Sequence, residues 1–289
     1  MRKPGIALLV VFVFVVCDAG TRAHGAFGLR GTYVVAGGRR QLQLRDRTGT
    51  YTAVTVDGER VLPVTVGRKT ISVGGLSSPY LAAGDLLIGG GYVAFAQTRV
   101  ISDPKAVPGT YTTMTGVNFA GQLSLDKAGN YTWCMRSVIS SPGACADGSA
   151  PGTGTTAVQS SGGFKFTGVP GTYAIYRSGS SAAIFPIDAH SLRLIALTKP
   201  SKSPEERRFT QTYRDVSGDA AIVRVSFSHG SLTVTGDPVF DGSYSYVSSG
   251  GILGISSPRC PNNVCKAIYS NELGILYIAR LGTGIFLRR

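Results

Sequence analysis

Residues 41–52, Gln41-Leu42-Gln43-Leu44-Arg45-Asp46-Arg47-Thr48-Gly49-Thr50-Tyr51-Thr52, decide the fold. Leu42 and Leu44 alternate with Gln41 and Gln43, a period of two that puts apolar side chains on one face of an extended strand. Gly49-x-Tyr51 then restarts a strand: the glycine accepts a turn conformation and the aromatic pins the new strand. The same alternation runs through Thr70-Ile71-Ser72-Val73, Gln122-Leu123-Ser124-Leu125 and Ser231-Leu232-Thr233-Val234. Asp57-Gly58, Ala128-Gly129-Asn130 and Asp241-Gly242 supply hairpin turns between such segments.

Composition agrees. The 289 residues hold 39 Gly and 14 Pro, are 43% hydrophobic and only 16% charged. Gly and Pro at that density disfavour long helices, excluding a helical bundle or coiled coil, and the apolar content excludes wholesale disorder. The longest helix candidate is the short segment Ser203–Arg208. The transmembrane-barrel alternative fits poorly, because many runs are shorter than the nine to eleven residues a lipid-crossing strand needs.

The alternating strings recur. Gly31-Thr32-Tyr33 returns as Gly109-Thr110-Tyr111, Gln41–Leu44 as Gln122–Leu125, and Gly49–Thr52 as Gly129–Thr132, at offsets of 78, 81 and 80. A duplicated unit of about 80 residues is expected, with a looser third copy from Ser231 to Tyr244. The fold expectation is all-β: antiparallel meanders forming two to three small barrel- or sandwich-like units, stapled by disulfides. Breaks at 102–108 and 198–208 place β-units at 26–101, 109–198 and 209–289. The Gly/Ser/Thr-rich stretch 146–163 reads as a flexible loop in the second unit, and 198–208 as an exposed linker.

Residues 1–25 read as a secretory signal peptide. Arg2 and Lys3 precede the apolar run Ile6–Val16, too short to span a bilayer, with cleavage after Ala19, Ala23 or Gly25. Lipidation at Cys17 is the alternative, against which stands Val16 where a small residue is normal. Cys134, Cys145, Cys260 and Cys265 remain, an even count behind an export signal, which predicts two disulfides. Three connectivities exist, and the close spacings favour Cys134 with Cys145 and Cys260 with Cys265. A four-thiolate zinc site would need tighter C-x2-4-C pairs.

Chemistry-bearing residues are few: His24, His190 and His229, and the glutamates Glu59, Glu205, Glu206 and Glu272. Asp188 and His190, two apart on an extended strand, share a face, so the carboxylate could orient the imidazole of a hydrolase or metal-dependent enzyme. No third ligand or nucleophile is identifiable, so no cofactor, metal or catalytic set is expected. His229 reads as a solvated hairpin tip. Asn130-Tyr131-Thr132 matches a glycosylation sequon at a turn.

Charge is the strongest functional clue. The net charge is +13, and 21 of the 29 cations are Arg. They gather at Arg39-Arg40, Arg45 and Arg47, Arg68-Lys69 and Arg207-Arg208, where guanidinium forks suit phosphate, sulfate or carboxylate. The expectation is an exported, non-enzymatic basic β-protein, periplasmic, secreted or at the cell surface. Its partner would be anionic: a polysaccharide, a lipid headgroup or extracellular nucleic acid. The competing expectation is a structural, adhesin-like or neutral-ligand-binding module.

Overall fold

A computed structural model describes residues 29–36, 40–55, 57–83, 85–89, 92–115, 119–135, 139–141, 144–145, 148–160, 162–188, 195–198, 200–201, 203–214, 220–237, 239–249, 251–278 and 285–288. The expected signal peptide, Cys17, Arg39 and His190 lie outside them. Among the described residues every regular element is a strand or a single turn of 3-10 helix.

The all-β, antiparallel expectation holds, and the meanders close into barrels. Strands β1 (Arg30–Val35), β2 (Arg40–Arg45), β3 (Thr48–Thr55), β4 (Gly58–Val66), β5 (Thr70–Val73), β6 (Leu76–Ala83), β7 (Leu86–Gly89) and β8 (Tyr92–Ala96) form one closed barrel, with β8 returning to β1. After the short β9 (Val100–Ile101) come β10 (Gly109–Thr115), β11 (Phe119–Leu125) and β12 (Asn130–Met135). A side hairpin, β13 (Ile139–Ser141) and β14 (Ala144–Cys145), precedes β15 (Gly152–Val158), β16 (Phe164–Phe166), β17 (Tyr173–Ser178), β18 (Ser181–Pro186) and β19 (Ile195–Thr198). This second barrel is nearly closed: β19 pairs with β10, but β16 meets β17 only at Phe164 and Tyr173, and β9 takes up more of that edge. The third is a closed barrel of β20 (Arg208–Arg214), β21 (Ala220–Ser228), β22 (Ser231–Thr235), β23 (Gly242–Ser249), β24 (Ile252–Ser256), β25 (Val264–Ser270), β26 (Ile275–Ile278) and β27 (Ile285–Arg288).

The Gly-x-Tyr segments take one register. Gly31 and Tyr33 stand opposite Leu44 and Leu42, and Gly49 and Tyr51 meet the same pair from the other side. Gly109 and Tyr111 face Leu125 and Leu123, and Gly242 and Tyr244 face Val234 and Leu232. Gly109 and Gly242 hold φ of 152° and 142°, which side chains beyond glycine rarely adopt. The following tyrosine folds back: the Tyr111 hydroxyl donates to the Val107 carbonyl at 2.8 Å, and Tyr244 to that of Phe240 at 2.9 Å. The pentapeptide Val107-Pro-Gly-Thr-Tyr111 is repeated as Val169–Tyr173, whose hydroxyl donates to Pro170 at 2.9 Å.

Each barrel has its own interior, built from one parity of its strands. Tyr33, Leu42, Leu44, Val64 and Ile71 fill the first. Tyr111, Leu123, Phe164, Tyr173 and Ile184 fill the second, and Phe209, Val225, Phe227, Leu232 and Leu276 the third. The opposite parity of a few strands makes a further core shared by all three. Leu86, Ile88, Val93 and Phe95 come from the first barrel, Met114, Ala174, Tyr176, Ala183 and Phe185 from the second, and Ile268, Leu273, Ile275 and Tyr277 from the third. These strands are buried on both faces and read as continuous apolar runs, such as Ala182-Ala-Ile-Phe185 and Ile275-Leu-Tyr-Ile278, where outer strands alternate. Phe95 stacks on Phe185 with centroids 3.9 Å apart and meets Tyr176 at 5.1 Å.

Two segments differ from their sequence reading. Residues 146–163, expected as a flexible loop, contain β15, paired to β12 and β16. Its glycine content has a packing cause: a Cβ on Gly154 would lie 2.7 Å from the Tyr131 ring. The described residues of the 198–208 linker form a strap fastened to the third barrel, not solvated along its length. The Ser201 N–H donates to the Tyr269 carbonyl at 2.9 Å, the Tyr269 hydroxyl donates to the Ser203 carbonyl, and Pro204 is buried. Pro204 and two backbone bonds to barrel strands take the place of a helix there. Disulfides join Cys134 to Cys145 and Cys260 to Cys265, with Cα atoms 5.7 and 5.1 Å apart.

Candidate anion-binding surface and inter-barrel cleft

The cationic pairs separate into three places. The β2–β3 turn carries Arg45, Asp46 and Arg47, and the β4–β5 turn carries Arg68 and Lys69. Pairing of β3 with β4 makes these turns neighbours: Thr48 stands opposite Thr65, and the Val66 N–H donates to the Arg47 carbonyl at 2.8 Å. Arg30, opposite Arg45 across β1 and β2, joins them. Its guanidinium grips Asp46 bidentately, both contacts 2.7 Å, which holds that carboxyl below its ordinary range. Asp46 thus balances Arg30, and Arg45, Arg47, Arg68 and Lys69 stand exposed at the same end of the first barrel. Four cations on neighbouring turns repel one another, and an anion bridging them relieves that repulsion.

Arg207 and Arg208 are exposed where the strap enters the third barrel, beside Glu205 and Glu206, and do not join the cluster on the first. Arg40 is elsewhere again. It is half-buried and lines a cleft of about 380 Å³ between the first and second barrels. The first barrel contributes Val34, Gln41, Thr52, Val54 and Glu59. Gln97, Val100 and Ser102 follow on the connecting segment, and Gly162, Gly163, Thr172, Ala174 and Ile187 belong to the second barrel. Gln41 donates to Gln97 at 3.0 Å, tying the rim to the connecting segment. The sequence marks Glu59 as one of its few glutamates but gives no sign that it shares a cleft with Gln41 and Gln97, because only barrel closure and packing bring them together.

Asp188, directly after the cleft residue Ile187, is buried, and its companion His190 lies outside the described residues. The strap brings Glu205 beside His229, a neighbour its sequence surroundings lack. The His229 Nδ1 lies 2.7 Å from the Ser228 hydroxyl, and Glu205 accepts from the Gly230 N–H at 2.9 Å and from the Tyr246 hydroxyl. The Tyr246 hydrogen bond, helped by that of Gly230, pulls Glu205 below the usual carboxylate range, so it is an ionised acceptor that ties the strap to the barrel end. Among the described residues no three His, Cys, Asp or Glu side chains are placed to share a metal ion, and no helix is long and apolar enough to cross a membrane. Comparison of the chain with protein-family models, curated proteins and solved structures gives no match.

Proposed function

We propose that this is an exported, non-enzymatic β-barrel protein that binds an anionic partner through the basic end of its first barrel. The partner class is polysaccharide, lipid headgroup or extracellular nucleic acid. The observation that carries the reading is the meeting of Arg45, Arg47, Arg68 and Lys69 on two adjacent turns, all exposed, with Arg30 already balanced by Asp46. Export is supported by the apolar leader and by two disulfides, which persist in oxidising compartments. The matching Gly-x-Tyr registers support descent of the units from a duplicated barrel.

The test is binding of the oxidised protein to duplex DNA, a polyuronate and anionic vesicles across a salt series, with neutral dextran as control. If the four cations each displace about one counterion from DNA, log affinity falls with log salt at a slope of about 3 to 4. That is about a hundredfold loss between 50 and 200 mM salt. Replacing Arg45, Arg68 and Lys69 together with Ala should cut the slope to near 1. Salt-insensitive binding, or a slope unmoved by the triple substitution, would remove this end of the barrel from the account.

A further inference from the structure

The basic end of the first barrel continues into a neutral polar track on the barrel wall. Leu42 and Leu44 point into the barrel, so Gln41, Gln43 and Arg45 of β2 face outward, and Thr48, Thr50 and Thr52 of β3 face outward with them. Register sets them side by side as three pairs: Arg45 with Thr48, Gln43 with Thr50, and Gln41 with Thr52. Successive pairs lie about 7 Å apart along the strands, which makes a track about 14 Å long. It starts at the turn that carries Arg47, with Arg68 and Lys69 on the turn beside it, and ends at Gln41 and Thr52 in the lining of the inter-barrel cleft. Thr52 is half-buried and the other five side chains are exposed.

This arrangement separates the three anionic partner classes. A bilayer surface is gripped by cations together with apolar side chains that enter it. The large exposed apolar side chains described in the first barrel are Val54, Val61 and Leu76, and none lies on the β2–β3 or β4–β5 turn. Unpaired bases stack on exposed aromatic rings, whereas Tyr33 and Tyr80 are buried and Tyr51 is half-buried. Duplex DNA carries about one charge per 1.7 Å, so about eight phosphates would pass along the track, where Arg45 is the one cation among six side chains. A chain of uronate or sulfated sugars carries hydroxyls between its acid groups. Guanidinium forks take the acid groups, and Gln amides and Thr hydroxyls donate and accept as sugar hydroxyls do. Resting on the reading of the basic end as an anion site, we infer that its partner is an acidic polysaccharide, seated lengthwise on β2 and β3. Its acid groups lie on Arg45, Arg47, Arg68 and Lys69, and its hydroxyls on Gln43 and Thr50.

The experiment compares the oxidised protein with its Q43A/T50A double variant for binding to polygalacturonate, heparin, duplex DNA and phosphatidylglycerol vesicles across a salt series. Both substituted side chains are exposed, and an unchanged urea midpoint checks that the variant is folded. Loss of the two hydrogen-bonding groups should weaken binding to the polysaccharides about tenfold. The salt slope should stay the same, because neutral side chains release no counterions, and DNA binding should be unchanged. Tighter binding of duplex DNA or vesicles than of both polysaccharides would overturn the assignment and leave the basic end as an anion site. So would a double variant that loses DNA and polysaccharide affinity equally, or that loses neither. If R45A/R68A/K69A instead binds all four probes as the natural protein does, the anion site itself falls, and the polysaccharide assignment with it.

Discussion

Replacing Phe95 with Ala tests whether the three barrels fold as one body. Phe95 is 1% exposed and points out of its own barrel into the shared core, stacked on Phe185 and tilted against Tyr176, both in the second barrel. Truncating a buried Phe costs about 3 to 5 kcal/mol, because the lost contacts and the cavity add. Loss of the two ring pairings falls within that figure. The chain has a single tryptophan, Trp133, and it lies on β12 of the second barrel, so its fluorescence reports on a different barrel from the one mutated. With an m-value of about 3 kcal/mol/M in urea, the Trp133 transition should move down by about 1 to 1.7 M and coincide with loss of the circular dichroism signal. A Trp133 midpoint that stays in place while part of the dichroism signal melts early would refute the coupling. The barrels would then be independent domains whose apolar contact contributes little.

Alkaline pH should destabilise the fold in a defined window. Burial pushes Tyr111 far up, pushes Tyr176 to about 12 with help from Asp85, and takes Tyr246 to about 12 with help from its bond to Glu205. Unfolded tyrosines ionise near 10, so the native state favours the neutral phenols; that stability is fully present below about pH 10 and is lost as pH rises through about 12. Absorbance titration near 295 nm should show a delayed group of tyrosines that ionises together with unfolding, and full ionisation near pH 10 in the folded state would contradict the burial. At the contact of the second and third barrels, the buried Ser181 hydroxyl donates to Glu272. E272A should cost about 1 to 3 kcal/mol by stranding that hydroxyl, whereas E272Q should keep most of the stability. Equal urea midpoints for the natural protein and E272A would show that the bond does not fasten the barrels.

Much of the architecture is written locally. Leu42 and Leu44, Leu123 and Leu125, and Leu232 and Val234 each announce a strand with one wet face, and glycine two residues before tyrosine marks where strands begin. Local pairing of the cysteines follows from spacing for the same reason, since a short loop can close without help from the rest of the chain. Local signals fail where composition imitates a linker. Gly152–Val158 is a strand because Gly154 makes room for the Tyr131 ring, a requirement set by a residue more than twenty positions away. Ser201, Ser203 and Glu205 are bound because Tyr269 and Tyr246 lie where the strap crosses the third barrel.

By itself the sequence determined an antiparallel all-β chain, its positive charge and the identity of its cationic residues, since period, composition and charge are properties of the residues alone. Tertiary structure decided the rest. Closure of each meander set which turns are neighbours, and so placed Arg45 and Arg47 beside Arg68 and Lys69 while sending Arg40 to a cleft and Arg207 and Arg208 to another barrel. The runs Leu86-Leu-Ile88, Ala182–Phe185 and Ile275–Ile278 show that some strands are covered on both faces, but not by what. Their partners are other barrels, because an outward apolar stripe on a closed barrel can leave water only against the stripe of another.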